Sequence, residues 1–232
     1  EISLGLVGSE MCIRDRKSAK KSSSKDGAAM VTRVGKKIAA ATEQYLRNNG
    51  LESEIKNFVW EFNLVNDPQV NAFCMPGGKI VVYEGLMQLV SSDDELAVVV
   101  GHEVAHAVAK HSNERMSQQL MAQYGAQILG QALSNKSAAV QKIGASVYGL
   151  GAQYGVMLPF SRKHESEADY MGLVFMAMAG YNPAVAVNFW QKMSAGKSGS
   201  TPEFMSTHPS DATRINEIKQ HLPEIEKYRV KK

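Results

Sequence analysis

Cysteine is nearly absent, net charge is small, and no long stretch is apolar enough to dominate the chain. Two cysteines in 232 residues, Cys12 and Cys74, provide no disulfide framework. A formal net charge of +3 is too small to imply nucleic acid as a partner. No glycine-rich phosphate loop occurs, so ATP is not implied either. Residues 143–160 carry no charge, but Gly144, Ser146, Gly149, Gly151, Gln153 and Gly155 interrupt them, which makes a poor membrane span. Membrane association is expected only through an N-terminal anchor missing from this sequence or through weak contact. The 44% of apolar residues is enough to bury one core.

What is there is concentrated around His102-Glu103-Val104-Ala105-His106. Ser92 followed by Glu95 forms a capping box, and apolar residues recur at Leu96, Val99, Val100, Val104 and Val108. The segment therefore reads as a largely buried helix. Histidines at i and i+4 project from one face, so their imidazoles can converge on one ion. Glu103 lies beside them, where it can take a proton from a water that the ion polarises. Such a motif arises by chance in roughly one chain of this length in a hundred, so a Zn²⁺ site is the preferred reading over two core histidines.

A hydrolytic zinc site needs a third ligand and an open fourth position. The pattern H-E-x-x-H-x-x-G-x-x-H fails, because Ala109 and Ser112 occupy the required positions and His111 is one residue out of register. A carboxylate from a second helix is the other solution, and residues 161–172 offer Glu165 and Glu167. Glu165 and Asp169 are i and i+4, hence on one face, whereas Glu167 points roughly 200° away from Glu165. With Glu165 as ligand, Asp169 can accept the second N–H of His102 and fix its ring. With Glu167 as ligand, Met171 would stand in that supporting position and could not accept. Glu165 is therefore preferred, and His164 and Glu167 fit a solvated helix start.

These motifs, followed by Thr207-His208-Pro209-Ser210-Asp211 and Arg214, resemble peptidase family M48. That gluzincin-type family includes the CAAX prenyl endopeptidase, HtpX, the Oma-type protease and the β-barrel assembly-enhancing protease. The likeness also takes in Asn71-Ala72-Phe73 and the run from Pro76 to Val82, and covers about residues 28–220. In the family, the glutamate matching Glu165 is the third zinc ligand. The residues and the resemblance together imply a mainly α, α+β, zincin-like scaffold with a small sheet or hairpin beside the zinc-binding helix.

Strand, turn and strand are expected over residues 71–83. The resemblance implies that Asn71, Ala72, Phe73, Lys79, Ile80 and Val81 form an exposed edge that aligns an extended peptide. It also places His208 facing the metal, either in the fourth position or as a donor to the oxyanion. Arg214 matches the arginine that follows in the family and is a candidate active-site arginine, with a surface salt-bridge partner as the alternative. Gly196, Gly199 and Ser200 are expected to let the loop before His208 move.

The implied function is a zinc metalloendopeptidase with one Zn²⁺ per chain, acting on protein or peptide substrates in envelope quality control, in the bacterial periplasm or at a membrane. The alternative is a latent zinc-bearing chaperone or binding module in which His208 closes the metal. At the N-terminus, residues 1–16 resemble a conceptual translation of adaptor read-through. Residues 17–27 read as a polar linker, and 28–232 as the peptidase domain.

Overall fold

Helix α1, Lys25–Asn48, is capped by the Ser24 hydroxyl, which accepts from the Gly27 N–H. Its buried Val31, Val34, Ile38 and Leu46 recur at helical spacing and face the core. The structure is a computed structural model that describes residues 20–75, 77–195, 204–205, 208 and 212–230. Helix makes up 71% of it, with one small sheet, as the sequence implies.

That sheet has the order β1-β3-β2, built from β1 (Glu61–Val65), β2 (Ala72–Met75) and β3 (Lys79–Tyr83). β2 and β3 form the expected antiparallel hairpin, with Phe73 opposite Val81 and Cys74 opposite Ile80. Gly77 and Gly78 take φ of 89° and 86° in the turn, a region that L side chains rarely adopt. β1 runs parallel to β3 on its other side. β3 is thus the central strand, buried on both faces: Ile80 and Val82 join the main core, Val81 and Tyr83 a smaller cluster with Val65.

The polar stretch expected as a linker enters the fold at Lys20. Lys20 O accepts from the Asn66 N–H, Ser22 N–H donates to Leu64 O, and α1 already starts at Lys25. Its side chains stay largely exposed while its backbone pairs along β1, so composition alone reads it as solvated.

Helix α2, Asp93–Val108, carries the histidines. The Ser92 hydroxyl accepts from the Glu95 N–H, and the Glu95 carboxylate accepts from the Ser91 N–H at 2.7 Å. Lys110, in the left-handed region with φ 58°, turns the chain into α3, His111–Ala132. α4 (Ala138–Ala152) returns, and a π-helical turn at Gln153–Met157 leads into α5, Leu158–Met178. α6 (Val185–Ala195) and α7 (Ala212–Ile225) complete the helical side.

α2 and α5 cross where Gly101 meets Gly172. A Cβ on Gly101 would stand 3.0 Å from Gly172 O, and one on Gly172 would stand 3.0 Å from the His102 amide nitrogen. Two bare glycines let the backbones touch one residue before His102 and three after Asp169, which sets the ligand-bearing helices at side-chain reach.

Candidate active site

His102, Glu103 and His106 come from the buried face of α2, and Glu165 and Asp169 from consecutive turns of α5. His208 and Arg214 enter from the C-terminal side. The structure thus gathers every sequence-derived candidate of the catalytic and metal set.

Donor atoms of His102, His106, Glu165 and His208 all lie within 4.8 Å of one another. The His102 and His106 Nε2 atoms are 3.1 Å apart. Each is 3.3 Å from a different oxygen of Glu165. His208 Nδ1 stands 3.3 Å from His102 Nε2 and 3.1 Å from Glu165 Oε1. Four atoms held by one first-row ion at about 2.0–2.1 Å in a tetrahedron stand roughly 3.3–3.4 Å apart. The donor set fits a metal in both chemistry and spacing.

His102 Nδ1 meets Asp169 Oδ1 at 3.0 Å, the same-face arrangement that the sequence argument required. Asp169 is in turn gripped by Arg214, whose Nη2 donates to Oδ1 at 2.8 Å and Nε to Oδ2 at 2.5 Å. Arg214 Nη1 also lies 3.1 Å from Glu165 Oε2 and donates to the His208 carbonyl at 3.3 Å. Its guanidinium carbon sits 4.6 Å over the Trp190 ring. Arg214 therefore ties three candidate residues together from a buried position.

Charge states follow from this packing. Burial opposes the charge of His102, but hydrogen bonds to Asp169 and Glu165 outweigh it and push its pKa up to about 9. Burial pushes His106 down to about 3. Burial also works against the charge of Glu165, yet its three histidine partners hold its carboxyl far below the usual range. Glu103 moves the other way, raised by burial. Its Oε1 is buried without a hydrogen bond and lies 3.4 Å from His208 Nε2. A desolvated, high-pKa carboxylate beside a donor cluster suits a proton acceptor.

Three expectations change. Lys79, Ile80 and Val81 are not at an edge, because β3 pairs with β1 and β2 on its two sides. The edge beside the site is β2, with Ala72 and Phe73, and Asn71 just ahead of it. A hairpin read from sequence cannot show that a distant strand covers its second arm. His164 is not solvated: it is buried and its ring stacks on buried His111 at 4.2 Å. Glu167, half exposed, reaches His111 Nε2 at 3.4 Å. Pro76, Gly196, Gly199, Ser200, Thr207, Pro209, Ser210 and Asp211 lie outside the described residues.

Sequence reasoning missed the aromatic wall. Trp190 packs edge-on to the His102 ring at 5.4 Å, and Phe204 stacks on both Trp190 and His208. No local pattern marks either residue, because each reaches the site only through the packing of α6 and the chain after it.

Known proteins share this sequence over most of its length. The chain is 36% identical over 205 residues to the mitochondrial metalloendopeptidase OMA1 of Schizosaccharomyces pombe, covering 84% of this chain and 53% of that protein. It is 40% identical over 168 residues to the protein of the same name from Arabidopsis thaliana, covering 72% and 33%. Against the β-barrel assembly-enhancing protease of Yersinia pestis the identity is 33% over 174 residues, covering 70% and 36%. The chain thus spans about half or less of the length of these relatives. The expected bacterial periplasmic location is overturned, since the relatives sharing most of this chain are named mitochondrial. Relatives named mitochondrial and relatives named β-barrel assembly-enhancing proteases both match this chain, so likeness to the family encodes no compartment. The sequence pattern of Peptidase family M48 matches residues 32–222, more than half of the chain. This chain belongs to peptidase family M48.

Proposed function

We propose that the chain is a zinc-dependent endopeptidase in which His102, His106 and Glu165 hold the metal and Glu103 is the catalytic base. The observation that carries this reading is the convergence of four donor atoms within 4.8 Å beside a buried carboxylate oxygen that makes no hydrogen bond. Two imidazoles and a carboxylate suit zinc among the available ions. When bound, zinc supplies a Lewis acid that polarises a carbonyl and makes water acidic near neutral pH.

The chain's own residues do the rest. Glu103 Oε1 accepts the proton of the attacking water and returns it to the leaving amine. Asp169 holds the His102 ring through Nδ1, and Arg214 holds Asp169. β2 pairs on one side only, which leaves a strand edge beside the site for an extended peptide and fixes register without demanding a sequence. Trp190 and Phe204 exclude water from one side of the ligand cluster.

His208 Nδ1 belongs to the donor cluster, which supports a resting form with that imidazole in the fourth position. Substrate then requires His208 to leave. The same observation favours a second reading, a latent zinc-bearing chaperone or binding module that never opens. Protein substrates follow from the peptidase reading, and relatives named as β-barrel assembly-enhancing proteases support envelope proteins in quality control as the class.

The deciding experiment follows cleavage of an unfolded protein such as casein by the zinc-loaded chain and by His208→Ala, with and without a chelator. Chelator-sensitive cleavage that rises in His208→Ala is the expected result. Turnover lower by roughly ten- to a thousandfold with zinc retained would instead make His208 an oxyanion donor. Absence of cleavage in both proteins would overturn the peptidase reading in favour of the binding module.

A further inference from the structure

The two histidines of α2 are supported differently. An imidazole that binds a metal through one nitrogen is held by a hydrogen bond at the other. For His102 that partner is Asp169. For His106 the second nitrogen, Nδ1, faces Nδ1 of His111 at 2.8 Å. Two bare ring nitrogens do not sit that close, so one of them carries the proton. His106 Nε2 points at Glu165 and His102 Nε2, where a ligand must offer its lone pair. The His106 proton is then on Nδ1, and His111 Nδ1 accepts it. Neutral His111 carries its own proton on Nε2, which lies 3.4 Å from Glu167 Oε2.

The ring of His111 is fixed from other directions too. The left-handed turn at Lys110 separates α2 from α3 and folds His111 back toward His106. One face of His111 stacks on His164, with 17° between the planes, and His164 Nε2 meets Glu114 Oε2 at 2.7 Å. A neutral acceptor also suits the charge of the site. Glu103, Glu165 and Asp169 are already buried there with Arg214, and a carboxylate at position 111 would add a further buried charge. The intervening imidazole moves the anionic end of the chain out to Glu167, which water reaches.

We propose that His111 is a positioning residue for His106: it accepts the Nδ1 proton, Glu167 fixes its tautomer, and His106 Nε2 is thereby aimed at the metal. This rests on the zinc reading above. It reverses the expectation from sequence that Glu167 belongs to a solvated helix start.

The test is zinc affinity, measured by competition with a chromophoric chelator, for wild type, His111→Phe, His111→Asn and Glu167→Ala. Phe keeps a flat ring on His164 but cannot accept a proton, whereas Asn places an amide oxygen where Nδ1 stands. His111→Phe should bind zinc roughly 10- to 100-fold more weakly, with His111→Asn recovering most of the loss. Glu167→Ala should weaken binding by a smaller factor, roughly three- to tenfold. Equal losses in Phe and Asn would mean packing alone and overturn the proposal, as would wild-type affinity in His111→Phe. If His111→Phe does not fold by circular dichroism, Glu167→Ala decides, because Glu167 lies outside the core; wild-type affinity there overturns the relay. Wild type that binds no zinc would instead sink the metal reading itself, a distinguishable failure.

Discussion

On the proposed reading, one oxygen of Glu103 separates an enzyme from a metal trap. Gln is nearly isosteric but cannot take a proton, so Glu103→Gln should keep about one zinc per chain and lose at least about a hundredfold in proteolysis. Metal analysis beside a casein assay checks both halves. Glu165→Ala should lose zinc and activity together, and Asp169→Ala should lose both more mildly, because it orients rather than binds. Asp169 and Arg214 also carry a pH signature. Burial works against the Asp169 charge, but the Arg214 guanidinium holds its pKa below the usual carboxylate value. A depressed folded pKa means stability that is present above about pH 4 and is lost as pH falls through the folded value. Arg214→Leu leaves Asp169 buried without its cation, at a cost of roughly 3–5 kcal/mol, and should move the acid-unfolding midpoint to higher pH. An unchanged midpoint would remove the pair from the stability account. The convergence of His102, Glu103, His106, Glu165 and Asp169 is legible in the sequence because helical periodicity puts them on two helix faces. Arg214 is singled out by resemblance only. His111 was hidden, since it serves His106 through a left-handed turn that no spacing rule describes.

At the scale of elements, α2 was readable from its cap and apolar period, and the β2–β3 hairpin from its paired glycines. Neither signal says how elements meet. The crossing of α2 and α5 depends on Gly101 and Gly172, and an isolated glycine in a helix usually reads as a local weakness. Here each removes a Cβ that would stand 3.0 Å from the partner helix backbone. Backbone cannot give way as a flexible side chain can, so Gly172→Ala must push the helices apart. A cost of roughly 1–3 kcal/mol is expected, read as a lower thermal midpoint. Because Glu165 and Asp169 ride on the displaced helix, zinc affinity should fall as well. Gly151→Ala serves as the control, since a Cβ there meets nothing within 4 Å. Equal behaviour of the two variants would mean that the crossing does not set the ligand geometry. The edge assignment failed at β3 for a related reason: its parallel partner β1 lies earlier in the chain, and pairing between them is not local.

Across the whole molecule, the site is assembled from α2, α5, His208, α7 and His111 at the start of α3, whereas the rest of α3 and α4 stand apart from the core. Among the described residues, none between 112 and 163 is buried, and Met121 and Ile128 are 75% and 68% exposed. No described helix is long and apolar enough to cross a membrane, as the interrupting glycines and glutamines imply. A metal held between α2 and α5 therefore bears on the core and the first turn of α3, and leaves the outlying length of α3 and α4 alone. Binding to the folded state alone stabilises it by about 2.7 kcal/mol when free metal is one hundred times the dissociation constant. For a chain of this size each kcal/mol corresponds to roughly 2–4 °C. Removing zinc with a chelator should thus lower the thermal midpoint by about 5–10 °C, and re-adding zinc should restore it. Ile128→Gln, on the exposed face of α3, should change stability by no more than about 0.5 kcal/mol and leave the chelator shift intact. Glu165→Ala should abolish the shift, because the donor set is then incomplete. A chelator shift that survives in Glu165→Ala would mean that the stabilising metal sits elsewhere, and scanning calorimetry on these three proteins makes the distinction.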